Sequence, residues 1–129
     1  MAELSKYQVY TDALRIVNTV LKSHRHFVRE YRYTLGDSAV CKALDMLDSI
    51  GHGLTYYEKK KKLQHILDAI DLSQALESRL LLAADNNCMD DVHAGWYIDH
   101  LPKLRKQLER LANSLARQIG EATPSQEDL

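Results

Sequence analysis

The residues that could do chemistry lie around one break in the chain. Cys88 falls within DNNCMDD, residues 85–91, and His93 and His100 follow it seven residues apart. Asp90 and His93 form a single acid-x-x-His pattern, whereas di-iron bundles need two Glu-x-x-His motifs on facing helices. Nucleophilic catalysis through Cys88 would also need an orienting carboxylate and an oxyanion hole. We therefore predict no catalytic residue, no metal site and no cofactor, and an enzyme built on Cys88 and His93 is the weakest alternative.

The two cysteines, Cys41 and Cys88, are isolated and form no Cys-x-x-Cys pair. Cys41 falls in the apolar pattern of a predicted helix, where a thiol is usually a small core side chain. The first residues, MAELSKYQVY, contain no apolar segment typical of a secretory signal, and no stretch is apolar enough to span a bilayer. We therefore predict two reduced, structural thiols in a cytoplasmic protein.

The most concentrated basic feature is the stretch TYYEKKKKLQ, in which Tyr56 and Tyr57 precede Lys59–Lys62. Lysines can neutralise phosphates while tyrosines stack on bases, a combination that favours nucleic-acid binding. The alternative is that the lysines form a solvated helix face and that Tyr57 anchors the helix to the core. The residues alone favour this alternative, and the net charge of −1 neither requires nor excludes a nucleic-acid partner.

Arginines and tyrosines also alternate in REYRYTLGDSAV, residues 29–40. Arg29 and Arg32 lie beside Tyr31 and Tyr33 in this stretch, which separates the first two predicted helices. Arginine and tyrosine are both enriched in protein interfaces. The stretch is therefore a candidate for a partner protein as well as for nucleic acid.

Apolar residues that recur at three- and four-residue steps predict four helices. Helix one spans Ser5–Phe27. Helix two follows Thr34 and Asp37, whose spacing resembles a capping box, and ends at Gly51–Gly53 with a glycine C-cap. The inward-facing residues predicted for these two helices are Tyr7, Tyr10, Leu14, Val17, Leu21 and His24 in the first, and Ala39, Ala43, Met46 and Ile50 in the second.

Helix three is predicted over Tyr56–Asn86. Helix four carries the most regular apolar pattern, a bundle-type seam of Leu101, Leu104, Leu108, Leu111 and Leu115. Its start has two solutions: the helix begins near Ala94 with a kink at Pro102, or Asp99 caps a later start with the proline in the first turn. It ends after Ile119.

These elements predict an all-α fold, an up-down-up-down antiparallel four-helix bundle over residues 1–119. The scarcity of Gly (5) and Pro (2) disfavours a turn-rich all-β alternative. Residues 120–129, GEATPSQEDL, are predicted to form a disordered acidic tail.

The predicted apolar surface is wider than one bundle needs. Leu72, Leu76 and Leu80 give helix three a second apolar ridge, and helix two also has two ridges. A single bundle buries about one stripe per helix, so the excess predicts a homo-oligomer. We predict that its interface contains these three leucines together with Tyr31 and Tyr33.

Three segments resemble one known family. F-x-x-x-Y-R-Y-T-L-G-D at residues 27–37, LESRLLLAAD at 76–85 and LERLANSLARQI at 108–119 are similar to small bacterial four-helix bundles. That family includes the proteins encoded in intervening sequences of ribosomal RNA genes and the accessory variability determinant (Avd) proteins of diversity-generating retroelements. The resemblance covers about residues 5–119.

The resemblance implies a bundle that assembles into a five-fold barrel, a homopentamer, without catalytic activity of its own. It also implies nucleic-acid binding through basic surface residues and association with the retroelement's reverse transcriptase. The residues predicted to bind nucleic acid are Lys59, Lys60, Lys61, Lys62, Arg29, Arg32 and Arg79. The alternative function is a protein–protein interaction scaffold that does not bind nucleic acid.

Overall fold

The chain folds into four long helices in the computed structural model, which describes residues 4–122. After a short 3₁₀ turn, Leu4–Lys6, come α1 (Gln8–His24), α2 (Asp37–Thr55), α3 (Lys59–Asp85) and α4 (Asp91–Ala122). No strand occurs between residues 4 and 122, so the prediction of an all-α, four-helix protein is confirmed. None of the helices in this range has the length and apolarity needed to cross a membrane.

The core lies between the helices, each of which contacts its neighbour in the chain, while α1 also contacts α4. The most extensive contacts join α3 to α2 and to α4. Two predicted stripes are buried as expected: Ala39, Ala43, Met46 and Ile50 in α2, and Leu101, Leu104, Leu108 and Leu115 in α4.

Helix α1 is rotated relative to the prediction. Its core side chains are Ala13, Ile16, Val17 and Val20. Leu14 and Leu21, which were predicted to point inward, are 40% and 45% exposed. The apolar arc of α1 covers more than one face, so its periodicity is compatible with two orientations. The bundle buries the face that contains the small Ala13, where the backbones can approach closely.

The corner between α1 and α2 is helical, and the predicted capping box is wrong. A short turn, Arg29–Tyr31, continues into a π-helical turn, Arg32–Gly36, which runs directly into α2. The amide of Asp37 is already bonded within this turn, so no side-chain cap is needed. The Thr34 hydroxyl donates to the carbonyl of Tyr31 instead, and the Asp37 carboxylate accepts a hydrogen bond of 2.7 Å from Nε2 of His24.

Helix α2 does not end at its glycines. It continues to Thr55, with Gly51 and Gly53 inside the helix, so the predicted glycine C-cap is wrong. Gly53 is needed for a different reason: a Cβ atom there would lie 2.4 Å from Cδ1 of Ile66 on α3. Gly53 therefore marks a close helix crossing, and neither glycine marks the helix end.

Helix α4 begins earlier and ends later than predicted. It starts at Asp91 and contains Pro102, which agrees with the solution that places the proline inside the helix. It continues to Ala122, so residues 120–122 of the predicted tail are helical. The rest of that tail lies outside the described residues.

Candidate nucleic-acid interface

The lysine run lies at the turn between α2 and α3, which we call the α2–α3 corner (residues 56–62). The side chain of Tyr57 is 100% exposed, and that of Tyr56 is 39% exposed. Tyr57 therefore does not anchor α3 to the core, and this part of the alternative interpretation is wrong. A fully exposed aromatic ring beside lysines is a surface on which a base could stack.

Three aromatic rings fix the conformation of this corner. The ring of Tyr56 lies 5.3 Å from that of His52 on α2 and 4.7 Å, edge to face, from that of His65 on α3. The two imidazoles are 5.1 Å apart. Because one ring is held by both helices, the following residue, Tyr57, projects into solvent from a fixed backbone.

The four lysines do not all have the same environment. Nζ of Lys62 donates to the carbonyl of Leu54 at 2.9 Å, so this lysine caps the end of α2. Lys61 makes only a long contact of 3.8 Å with the exposed Glu58. Lys59 and Lys60 are exposed and have no ion-pair partner in the part of the chain that the structure describes. Three lysines are therefore available to a ligand, and one has a structural role.

The position of these lysines opposes the stability of α3. The first turn of α3 contains no acidic residue, and Glu58, which precedes it, makes no capping hydrogen bond. A helix N-terminus carries partial positive charge, so each cation placed there costs about 0.3–1 kcal/mol relative to a neutral residue. Uncapped amides at such a terminus, together with cations, favour a bound anion such as a phosphate.

The three predicted arginines lie elsewhere. Nη2 of Arg32 donates to the carbonyls of Arg25 and Phe27 at 3.1 and 3.4 Å, which fixes the corner after α1. Arg79 donates from Nε to the hydroxyl of Ser38 at the start of α2. The 19 residues of α2 separate this end of the bundle from the lysines by about 28 Å. The structure therefore does not combine the lysines and arginines into one surface.

Arg79 and Tyr31 are nevertheless close to each other. With Thr34, Leu35 and Leu82 they line an open cleft of about 380 Å³ beside the π-helical turn. Arg29 is exposed in the same part of the chain. This cleft is a second basic and aromatic surface, with fewer basic residues than the α2–α3 corner.

Cys88 and His93 line a separate open cleft of about 580 Å³. The thiol of Cys88 is 2% exposed, burial raises its pKa, and it contacts the carbonyl of Asn86. A protonated thiol is a poor nucleophile. Cys41, predicted to be a core residue, is exposed, and both cysteines are free.

The imidazole of His93 has a local structural role. The backbone amide of His93 donates to Oδ1 of Asp90 at 2.8 Å, and Nδ1 approaches the same oxygen at 2.8 Å. These two bonds hold the pKa of Asp90 below its ordinary value and cap the start of α4. Among residues 4–122, no group of three or more histidine, cysteine or acidic side chains is placed to hold a metal ion.

The predicted interface leucines have different positions in the structure. Leu76 and Leu80 are 0% and 3% exposed in the core, because the inner face of α3 points between α2 and α4. They are therefore removed from the predicted interface. Leu72 is half-buried against the same core, whereas Tyr31 and Tyr33 are 41% and 72% exposed.

Two features of possible binding surfaces were missed by sequence reasoning. The contact between His52 and His65 joins two helices, so no spacing along the chain reveals it. The exposure of Leu14 and Leu21 was missed because the pattern placed both in the stripe that faces the core. For Leu44 the signal was the second apolar ridge predicted for helix two, but the predicted interface took its leucines from helix three only.

No protein-family model matches the chain, and no curated protein sequence is significantly similar to it. The resemblance to the intervening-sequence and Avd proteins therefore stays a prediction, as do the functions that it implies.

Proposed function

We propose that this protein is a non-enzymatic, self-associating helical bundle that binds single-stranded nucleic acid at the α2–α3 corner. One observation carries the proposal: Tyr57 is fully exposed and is separated only by Glu58 from three exposed lysines, at the uncapped N-terminus of α3. Phosphates would contact Lys59, Lys60, Lys61 and the first amides of α3, while a base stacks on Tyr57.

The arrangement of the helices supports this assignment. His24, at the end of α1, bonds Asp37, at the start of α2. Glu77 on α3 forms an ion pair with Arg105 on α4, and Gln107 on α4 donates to Asp12 on α1. We infer an up-down-up-down bundle, in which the α2–α3 corner lies at one end and is free of the other connections.

The resemblance extends the proposal to a biological context. An Avd-like protein would present the bound strand to a reverse transcriptase. The proposed division of roles is then that the α2–α3 corner holds the nucleic acid and that other surfaces of the bundle contact proteins.

Fluorescence anisotropy with a labelled single-stranded oligonucleotide tests the proposal. Three lysine–phosphate contacts predict a log–log slope of affinity against salt of about −2 for single strands. Removing the stacking ring in Tyr57→Ala is expected to cost about 1–3 kcal/mol of binding free energy. Replacing Lys59, Lys60 and Lys61 by glutamine together should remove most binding.

A matched control removes three exposed bases of α4, in Lys106→Gln, Arg110→Gln and Arg117→Gln. The control leaves binding unchanged if the site is local, and weakens it equally if only net charge matters. Equal losses in the two triple variants, or no binding by the unaltered protein at low salt, would reject the proposal.

The second candidate function is a protein–protein interaction scaffold without nucleic-acid binding. The exposed leucines of α1 and α2 favour it, because a row of 40–45% exposed leucines is unusual for a surface that only meets water. On this reading the triple lysine variant keeps full function and the leucine surface carries it. The two candidates therefore differ in which surface tolerates substitution.

A further inference from the structure

An apolar strip runs along the outer side of the groove between α1 and α2. It consists of Leu14 and Leu21 on α1 and Leu44 on α2, which are 40%, 45% and 41% exposed, and we call it the α1–α2 strip. The partly buried Val40 and Leu47 lie on the same side of α2 and pack against the core. The strip is thus the outer continuation of the apolar core.

Two contacts fix how α1 and α2 align along the bundle axis, and we call the height of a residue along this axis its level. His24 bonds Asp37 at one end, and at the other the ring of Tyr10 lies 3.7 Å from the position of a Cβ atom on Gly51. Stepping along both helices from these contacts places Leu44 about midway between the levels of Leu14 and Leu21. The three leucines therefore interdigitate as one row.

The two edges of the α1–α2 strip carry opposite charges. Among the exposed residues of α1 the only charged ones are the bases Arg15 and Lys22. The exposed charged residues of α2, leaving histidine aside, are the acids Asp37, Asp45 and Asp48. Within residues 4–120, Arg15, Lys22, Asp45 and Asp48 have no ion-pair partner.

The basic edge, the row of leucines and the acidic edge together form a surface that is complementary to a second copy of itself in one symmetric arrangement. A two-fold axis parallel to the helices places α1 of one copy over α2 of the other, and the reverse, without changing the level of any residue. The basic edge of each copy then faces the acidic edge of its partner. Arg15 lies on the level of Asp45 and Asp48, and the apolar rows of the two copies meet in the centre.

We propose that the α1–α2 strip is the self-association surface, and that its occupant is a second copy of this chain related by that two-fold axis. The inference rests on the self-association part of the proposed function and not on nucleic-acid binding. Nucleic acid is a poor occupant, because Asp45 and Asp48 would repel phosphates.

A two-fold contact closes as a dimer, or as an even-numbered assembly of dimers. The pentamer that the resemblance implies requires a head-to-tail contact between two unlike faces. The proposal therefore departs from the resemblance in a measurable way, since the two assemblies differ in mass and in their response to paired charge reversal.

Light scattering on Arg15→Asp, Asp48→Arg and the double variant tests the proposal. Each single reversal puts like charges together at both symmetric positions, and the dimer dissociation constant should rise about tenfold or more. The double variant inverts both pairs, so dimerisation should recover. Lys106→Asp on α4 is the matched control and should leave the dimer intact.

The natural Cys41 gives a second readout. It is exposed on the acidic edge, three residues before Leu44 on α2, and should be covered by α1 of the partner. Its alkylation rate should fall as protein concentration rises, and should stay high in the single reversals. Cys88, which is buried, is the internal control and should remain slow at every concentration.

The possible outcomes separate this inference from the nucleic-acid proposal. A monomeric mass at tens of micromolar overturns the inference, as does a pentameric mass. Failure of the double variant to recover also overturns it, provided that circular dichroism confirms folding. Oligonucleotide binding by a protein that stays monomeric would reject the α1–α2 dimer and leave the α2–α3 corner supported.

Discussion

Alanine substitutions at the two glycines near the end of α2 should change stability in opposite directions. Gly51 and Gly53 are two residues apart in the same helix. A Cβ on Gly51 would meet nothing closer than 3.7 Å, from Tyr10. A Cβ on Gly53 would lie 2.4 Å from Cδ1 and 2.7 Å from Cγ1 of Ile66, and 3.3 Å from the carbonyl oxygen of Lys62.

The magnitudes follow from these distances. Alanine inside a helix is favoured over glycine by about 0.8–1 kcal/mol, a gain that both substitutions share. Carbon atoms pack at about 3.5–4 Å, so Ile66, which is fully buried, must move by more than about 1 Å to admit the new methyl at position 53. Overpacking of this kind costs about 1–3 kcal/mol. Gly51→Ala should therefore stabilise the protein by up to about 1 kcal/mol, and Gly53→Ala should be less stable than it by about 1–3 kcal/mol.

Urea denaturation at one fixed protein concentration measures the difference, because a self-associating protein has concentration-dependent stability. Ile66→Val, which removes the clashing Cδ1, should cost about 0.5–1.5 kcal/mol alone and less in the Gly53→Ala background. If Gly51→Ala and Gly53→Ala stabilise equally, or if the valine shows no coupling to position 53, then the close crossing of α2 and α3 is not what requires glycine.

Three further substitutions test the internal contacts. Arg105→Ala leaves the half-buried Glu77 without its ion-pair partner and should lower the free energy of unfolding, measured by urea denaturation, by about 1–3 kcal/mol. Replacing both residues by leucine should recover much of this stability. Burial raises the pKa of Tyr97 from its ordinary 10.0 to about 12. The phenol of the unfolded chain therefore loses its proton at a lower pH than that of the folded protein. The free energy of unfolding should then fall by about 2–3 kcal/mol as the pH rises from about 10 to about 12. Tyr97→Phe should remove this pH dependence of stability. Lys62→Gln should lower the thermal midpoint through loss of about 0.5–1.5 kcal/mol at the Leu54 carbonyl, yet leave oligonucleotide affinity unchanged.

The sequence predicted the helices because their apolar spacing is regular and long. The leucine seam of α4 is the clearest case: four of its five leucines are buried, and the fifth, Leu111, packs partly against the core. The helix ends were less predictable where tertiary contacts determine them. Gly51 and Gly53 have the chemistry of a C-cap, but the opposing side chain of Ile66 is not visible from α2 alone.

The candidate site was predictable in composition and not in geometry. The lysine run was evident in the sequence, yet only the structure separates Lys62, which bonds the Leu54 carbonyl, from its exposed neighbours. The seven predicted basic residues were grouped because they share a charge. Their division between the two ends of α2 depends on the helix arrangement, which determines the distance between residues that are far apart in sequence.

Local rules that this chain breaks fall into two kinds. Some exceptions have a packing explanation: Gly53 is in a helix interior because Ile66 occupies the space of its side chain. Others have none within residues 4–122. The lysines at the N-terminus of α3 oppose the helix dipole, Tyr57 is fully exposed, and the leucines of the α1–α2 strip meet water between edges of opposite charge. Natural sequences keep such exceptions mainly where function requires them. Exposed apolar side chains also occur elsewhere, such as Leu82 and Ile98, and we assign to binding partners the two surfaces that combine such exposure with a distinct charge pattern.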